Sequence, residues 1–199
     1  LLFQWTIMPR LVLASTSPFR RELLSKLQIP CETATPDCDE TPISGELPHE
    51  TAERLSAEKA ASIADSYPAS LIIGSDQVAQ CELKVFGKPG TNAAAAMQLR
   101  SMRGKEITFH TGLCLLNTST QTVQRTEIRT LVGFRNVSDD EIRRYLERED
   151  ARNCAGSAKA EGLGISLIEY IRGDDPNALI GLPLIALCQM LRNEGVIVP

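Results

Sequence analysis

An aspartate follows a strongly apolar segment near the middle of the chain, in the motif Gly74-Ser75-Asp76-Gln77. Residues 71–74 are predicted to form a buried strand, and α/β enzymes place catalytic groups where such strands end. A second acidic motif, Asp37-Cys38-Asp39-Glu40, lies in a predicted loop over residues 36–48. Acidic loops are more often simply solvated, but paired carboxylates can also bind a divalent cation or take a proton from water.

Hydroxyl and cationic side chains cluster where the first predicted strand, residues 10–14, is followed by a helix. Ser17 suits the N-cap position and Pro18 the first helical position. The free N–H groups and partial positive charge of a helix N-terminus suit a phosphate, to which Ser15 is adjacent. Arg20 in the first turn disfavours the helix electrostatically, and a bound anion would explain its presence. The alternative is an ordinary serine cap with solvated arginines.

Three basic residues lie in two further motifs. Lys88 is held between a glycine and a proline in Gly87-Lys88-Pro89, which makes it either a positioned cation or part of a simple turn. Arg54 and Lys59 lie on a predicted helix over residues 51–64, where basic residues are usually surface charge. That pair is therefore a weak signal by itself.

A glycine-rich segment over residues 155–164 carries two charged residues, Lys159 and Glu161. Glycines allow a ligand to approach the backbone closely. Together, the motifs supply carboxylates for a divalent ion, cations for phosphates and an anion-binding helix start. That combination suits the hydrolysis of a nucleotide phosphate chain.

The elements that carry these motifs mix strands and helices, which indicates an α/β or α+β fold. Ser138 and Glu141 form a capping box, and residues 177–183 are predicted to be a turn that seats the closing helix. We expect a central mixed sheet flanked by helices, with a cleft between two lobes. The other predicted elements are a helix after Ser17, a helix over 91–102, a hairpin over 107–117 and 121–134, a strand over 165–170 and a helix over 184–191.

Composition excludes several classes of protein. The formal net charge is −4, whereas a general nucleic-acid binder is usually basic over a whole face. No apolar run in the sequence is long enough to span a membrane. Only two histidines are present, which disfavours His-rich metal sites and a Ser-His-Asp triad.

The cysteines and the first seven residues of the sequence are relevant to the cellular compartment of the protein. Six cysteines occur without a C-x-x-C motif or zinc spacing, so buried reduced thiols are expected rather than disulfides. Residues 1–7 precede Met8 and lack the basic region and apolar length of a signal peptide. We expect them to be a cloning or upstream-read remnant and residues 8–199 to form a single domain. A cytoplasmic location follows as an expectation.

Taken in order, the motifs resemble the Maf family of nucleoside triphosphate pyrophosphatases, from Met8 to the C-terminus. The family fold is an elongated α/β structure related to inosine triphosphate pyrophosphatases, with the active site in a central cleft. The resemblance implies cleavage of a nucleoside triphosphate to the monophosphate and diphosphate, with Mg, Mn or Co as divalent cation. The matching motifs are Leu13-Ala-Ser-x-Ser-Pro-x-Arg20, Asp39-Glu40, Arg54-Leu-x-x-x-Lys59-Ala60, Gly74-Ser-Asp76, Gly87-Lys-Pro89, Ala155-Gly156 and Gly181-Leu-Pro183.

The resemblance also implies a role for each matching residue. Asp76 would be the general base that activates water. Glu40 and Asp76 would hold the metal. The residues implied to bind the triphosphate are Ser15, Arg20, Lys59 and Lys88.

Phe19, Gln77 and Glu161 resemble the YceF-like branch of the family, whose implied substrate is 7-methyl-GTP. Methylation at N7 makes guanine cationic, so the face of Phe19 becomes a stacking partner worth about 0.5–2 kcal/mol. The Glu161 carboxylate can accept hydrogen bonds from the guanine N1–H and amino group, and it offsets the ring charge. Lys159 is predicted to contact substrate as well. Without the resemblance, Phe19 would be interpreted as a core residue behind the helix start.

Two departures and two alternatives accompany this interpretation. Ala158 stands where the family usually has an aromatic residue, so one wall of the base pocket differs, and Ser56 replaces a commoner alanine. Another nucleotide, such as dTTP or UTP, is an alternative substrate. A nucleotide-binding regulator of septum formation without turnover is a second alternative, which an intact Asp76 disfavours. The expected partner is a nucleotide, not nucleic acid or a membrane, and family members are often homodimers.

Overall fold

The computed structural model describes residues 9–199, so the expected remnant at residues 1–7 lies outside the described part. The described residues contain seven strands: β1 (Arg10–Ala14), β2 (Cys31–Ala34), β3 (Ser70–Cys81), β4 (Lys84–Phe86), β5 (Glu106–Asn117), β6 (Thr122–Phe134) and β7 (Ile168–Gly173). They form one sheet in the order β2-β1-β3-β5-β6-β7, with β4 paired to β3. Strand β1 runs parallel to β2 and β3, and the other pairs are antiparallel.

Helices cover both faces of the sheet. Within the same range there are five α-helices: α1 (Pro18–Ser25), α2 (Pro48–Ser62), α3 (Asn92–Met102), α4 (Asp139–Leu146) and α5 (Leu184–Asn193). On one face, Ala60 of α2 packs with Ile72 of β3. On the other, Leu24 of α1 and Leu187 of α5 pack with Ile73. The neighbours Ile72 and Ile73 face opposite sides because successive strand residues alternate.

Strands β3 and β5 contribute to three hydrophobic clusters. One surrounds β1, α1 and α5 and includes Ile73 and Leu113. A second lies under α3 and α4 and includes Ala79 and Ile107. The third lies under α2 and includes Ile72, on the face of β3 that also carries Asp76. The expected mixed α/β sheet flanked by helices is confirmed. Its division into two lobes with a central cleft stays a prediction. The assignment of residues 8–199 to one domain stays a prediction.

Strand β3 is longer than the apolar pattern predicts. It continues to Cys81, so Asp76 lies within the strand rather than directly after it. The apolar run stops at Gly74, but the ladder continues because β5 pairs with β3 as far as Gln80. The interpretation of Asp76 as a strand-end residue is therefore wrong.

Other element boundaries also differ from the sequence patterns. The short strands β2 and β4 are not predicted, because their few residues show no clear apolar alternation. The predicted strand over residues 165–170 begins only at Ile168, after a 3₁₀ turn over Leu163–Leu167. Helix α2 begins at Pro48, inside the predicted loop.

Two glycines let α2 lie directly on the sheet. A Cβ at Gly74 of β3 would collide with the backbone carbonyl oxygen of Ser56, and one at Gly112 of β5 would collide with that of Ala52. Any larger residue at either position would therefore push α2 outward. The close approach places Lys59 of α2 next to the middle of β3.

All six cysteines are free thiols, but they are less buried than expected. Cys81 and Cys114 are buried, and the other four are half-buried. Burial raises the pKa of the Cys114 thiol to about 11, which keeps it protonated at neutral pH. No helix within residues 9–199 combines the length and apolar content that crossing a membrane requires.

Candidate active site

A buried lysine joins two carboxylates between α2 and β3. The Nζ of Lys59 lies 2.5 Å from Oδ1 of Asp76 and 2.9 Å from Oε1 of Glu40. The side chains of Lys59 and Asp76 are 7% and 12% exposed, whereas that of Glu40 is 57% exposed. The structure thus brings together three predicted site residues, with one carboxylate buried and the other largely exposed.

Strand alternation directs Asp76 toward α2 and Gln77 to the opposite face. Asp76 shares its face with Ile72, which packs under α2. The Gln77 amide nitrogen lies 3.0 Å from each of three protein acceptors: Thr111 Oγ1, Ala178 O and Leu179 O. Gln77 does not join the Lys59 cluster, and its contact with substrate stays a prediction.

Three cations surround Glu40. Burial by itself would raise the pKa of Glu40, but the hydrogen bond and charge of Lys59, with the charges of Lys88 and Arg20, hold that pKa below its usual range. Glu40 is therefore ionised at neutral pH. The cations predicted to bind phosphate, Arg20, Lys59 and Lys88, converge on one acidic pair.

Arg20 is oriented by the turn that precedes α5. Its Nε donates to the carbonyl oxygen of Gly181 at 2.7 Å, and Ser75 Oγ donates to the same oxygen at 2.9 Å. Gly181 has φ of +120°, and a Cβ there would lie 3.4 Å from Arg20 Nε. Burial lowers the pKa of Arg20 from its ordinary value, although a guanidinium remains charged. The turn over residues 177–183 thus orients a site residue as well as seating the last helix.

The start of α1 has the predicted cap. Ser17 Oγ accepts a hydrogen bond from the Arg20 backbone N–H at 3.4 Å, and Pro18 occupies the first helical position. The Oγ of buried Ser15 accepts from the Ser17 N–H at 3.1 Å. These contacts fix the backbone where the triphosphate is expected to bind.

The residues predicted to bind the base lie on α1 and on the glycine-rich segment. The Nζ of Lys159 lies 5.3 Å from the centroid of the Phe19 ring, and Glu161 is exposed on the same glycine-rich segment as Lys159. Phe19 is half-buried and belongs to none of the three hydrophobic clusters found within residues 9–199. Its interpretation as a core residue is therefore disfavoured.

Two anchoring ion pairs are missed by the sequence analysis. Arg54, interpreted as surface charge, is 19% exposed and donates to Glu46 from Nε at 2.6 Å and from Nη2 at 2.8 Å. This pair ties the loop after Glu40 to α2. Glu149 binds the ammonium of Lys159 at 2.9 Å. Neither pair has a periodic spacing, because Glu46 lies in a loop before α2 and both Glu149 and Lys159 lie in irregular backbone.

The carboxylates of Asp76 and Glu40 suit a hard divalent cation. Both contact the Lys59 ammonium, so they face the same point between α2 and β3. Within residues 9–199, no group of three or more His, Cys, Asp and Glu residues is arranged to hold a metal. Mg²⁺ commonly takes only one or two protein carboxylates and completes its shell with water and substrate phosphates. The donor set therefore fits a metal that binds together with a phosphate chain.

Comparison with known proteins assigns the family. The family described as Maf-like protein matches residues 10–194, which is nearly the whole chain. This chain belongs to the Maf family. The resemblance inferred from the ordered motifs is thereby confirmed.

Relatives within the Maf family match along nearly their full lengths. The chain is 54% identical over 190 residues to the 7-methyl-GTP pyrophosphatase of Aromatoleum aromaticum, covering 96% of this chain and 98% of that relative. It is 56% identical over 187 residues to the 7-methyl-GTP pyrophosphatase of Cupriavidus metallidurans, with 94% of each covered. A third relative with that name, from Methylobacillus flagellatus, is 51% identical over 189 residues, or 95% of this chain and 98% of the relative.

Proposed function

We propose that the protein hydrolyses 7-methyl-GTP to 7-methyl-GMP and diphosphate. The observation that carries the proposal is the Lys59 ammonium held between Asp76 and Glu40, beside Arg20. A buried carboxylate and converging cations are what attack of water on a phosphoanhydride requires. The names of relatives at 51–56% identity support the choice of nucleotide.

Asp76 acts as the general base. Lys59 donates to Oδ1, and no residue in the described part of the chain donates to Oδ2, which is left to accept a proton from water. The water oxygen forms a bond to the α-phosphorus while the bond to the bridging oxygen breaks. Diphosphate leaves with the electron pair of that bond, and the water proton passes to Asp76.

The cations and the metal neutralise the phosphate chain. Arg20, Lys59 and Lys88 face the carboxylates and can bind the triphosphate oxygens as charge develops on the leaving group. We propose Glu40 and Asp76 as the ligands of a divalent ion, Mg, Mn or Co, which supplies Lewis-acid stabilisation of the phosphates when bound.

The base binds between Phe19 and Glu161. The Lys159 ammonium lies 5.3 Å from the Phe19 ring centroid, so the ring offers a face to a cation, and a base that stacks there displaces Lys159. Glu161 is exposed and available to accept from the guanine edge. Gln77 remains a proposed substrate residue that acts from the opposite face of β3.

A substrate panel with diphosphate detection tests the proposal. Purified protein is assayed with 7-methyl-GTP, GTP, dTTP, UTP and CTP, each with Mg²⁺, Mn²⁺ and Co²⁺ and with chelator. We expect metal-dependent release of diphosphate and the highest kcat/KM for 7-methyl-GTP. Higher turnover of dTTP or UTP would contradict the substrate, and binding without turnover of any nucleotide would favour the regulatory alternative.

Two further proposals concern the setting of the enzyme. A cytoplasmic location is supported by six free thiols, which suit a reducing compartment. A homodimer is proposed on the resemblance to the family, and light scattering of the purified protein tests it. A monomer at micromolar concentration would contradict the dimer.

A further inference from the structure

Glu149 holds two parts of the glycine-rich segment at once. Its Oε1 lies 2.9 Å from the Nζ of Lys159, and its Oε2 accepts from the backbone N–H of Leu163 at 3.0 Å. Glu149 is 17% exposed and Lys159 is 25% exposed, so the pair is partly shielded from water. A Cβ at Gly162 would lie 2.5 Å from Glu149 Oε2, so a larger residue there would displace the Glu149 carboxylate.

Lys159 is fixed from two sides in addition to Glu149. Its backbone N–H donates to the hydroxyl of Tyr145 at 3.0 Å, and its ammonium lies 5.3 Å from the Phe19 ring centroid. The hydrogen bond and charge of Glu149 raise the pKa of Lys159, which keeps the ammonium protonated at neutral pH. Lys159 is therefore a permanent positive charge at the place where the base is proposed to stack.

Glu161 lies on the same segment without a cation of its own. Within residues 9–199 its carboxylate makes no ion pair with another side chain, and the Lys159 ammonium is bound to Glu149. Burial raises the pKa of Glu161, and the charge of Lys159 acts in the opposite direction from beyond ion-pair distance. Glu149, Glu161 and Lys159 together carry a net charge of one negative unit, and Glu22 adds a further negative charge near Glu161. That charge resides on Glu161 as long as Glu149 binds Lys159.

We propose that Glu149 is a specificity-determining positioning residue: by binding Lys159 it keeps that ammonium from neutralising Glu161, which stays available as the counter-charge of a positively charged base. The inference rests on the proposed function, since it concerns the base site of that reaction. The cost of moving Lys159 away from Phe19 is the same for any base. The preference for a cationic base over a neutral one therefore follows the net charge of the three residues.

Each variant has a different net charge at the base site and therefore a different expected preference for the methylated base. We define that preference as the ratio of kcat/KM for 7-methyl-GTP to kcat/KM for GTP. Glu149→Gln brings the net charge to zero and is expected to lower the ratio about five-fold. Gln still offers an oxygen to the Leu163 N–H, so the segment keeps that contact. Lys159→Met brings the net charge to two negative units and raises the ratio about two- to five-fold.

The double variant separates electrostatics from structure. Glu149→Gln with Lys159→Met removes the ion pair and returns the net charge to one negative unit, so the ratio should recover to within about two-fold of the parent. Glu161→Gln serves as the benchmark, because it removes the counter-charge directly. The ratio of the parent protein should also fall as salt is raised from 0.05 to 0.5 M, since these groups are partly exposed.

The outcomes distinguish this inference from the proposed function. An equal loss on both nucleotides in Glu149→Gln, or a double variant that stays as low as Glu149→Gln, overturns the inference while hydrolysis stands. Equal use of 7-methyl-GTP and GTP by the parent overturns it as well. If the parent hydrolyses neither nucleotide, the proposed function fails. Calorimetric binding of 7-methyl-GMP and GMP to the parent and the four variants then tests the charge order without turnover.

Discussion

Gly112 of β5 faces Ala52 of α2 so closely that a Cβ at Gly112 would collide with the Ala52 carbonyl oxygen. Gly112 is also the partner of Asp76 in the β3–β5 register. The same point of the sheet therefore determines how closely α2 approaches and carries the buried Asp76 carboxylate. The short contact between Lys59 and Asp76 depends on this packing.

Gly112→Ala should loosen the site through the backbone. We expect about 3 kcal/mol lower stability, at the upper end of overpacking penalties, because α2 must move away from the sheet. The kcat should fall as well, since Lys59 is carried away from Asp76. Thermal unfolding and steady-state kinetics measure the two effects. Gly87→Ala is the stability control, because no atom lies within 4 Å of its added Cβ, and it should change stability by less than about 0.5 kcal/mol.

Asp76→Asn should remove hydrolysis while nucleotide binding survives. The amide keeps the shape of the carboxylate but cannot take a proton from water, so kcat should fall about 10²- to 10⁴-fold. Calorimetry with 7-methyl-GTP measures binding, and diphosphate release measures turnover. Activity equal to that of the parent would remove Asp76 from the role of base.

Gly181→Ala should weaken triphosphate binding through Arg20. The added Cβ would lie 3.4 Å from Arg20 Nε, and φ of +120° strains any residue other than glycine. We expect KM for the triphosphate to rise about ten-fold with a smaller change in kcat, because the cation is displaced and the base is not. An unchanged KM would show that Arg20 does not need this turn.

The Arg54–Glu46 pair should make stability depend on pH. The hydrogen bonds from Arg54 lower the pKa of Glu46 to about 2, against an ordinary value of 4.5. A lowered pKa in the folded state means that the carboxylate stabilises the protein fully above pH 4.5, and that this contribution is lost as the pH falls toward 2. The difference in Tm between the parent and Glu46→Gln should be largest near pH 7 and shrink below pH 4.5. A difference independent of pH would exclude the charge as its cause.

The sequence predicts the residues of the site better than their contacts. Asp76, Lys59 and Glu40 are found from motifs, and the structure brings them together. Their mutual ion pairs are not predicted, because they depend on how closely α2 approaches the sheet. The end of β3 is misplaced because its pairing with β5 extends beyond the apolar residues.

Contacts between residues that are far apart in sequence are not predicted by local sequence patterns. Arg20 meets Gly181 across 161 positions, and no spacing rule relates the two. Glu149 meets Lys159 across only 10 positions, but both lie in irregular backbone without helical or strand periodicity. The cap at Ser17 is predicted correctly because all its atoms belong to four consecutive residues.

Asp76 and Gln77 are adjacent in sequence but serve opposite sides of β3: one meets α2, and the other holds the turn before α5. A slip of β3 by a single residue would therefore place an amide beside Lys59 and a carboxylate against backbone carbonyl oxygens. Both exchanges are unfavourable, so these two residues disfavour the wrong strand alignment by themselves. The chemistry of the cleft thus helps to select the pairing of the sheet that builds it.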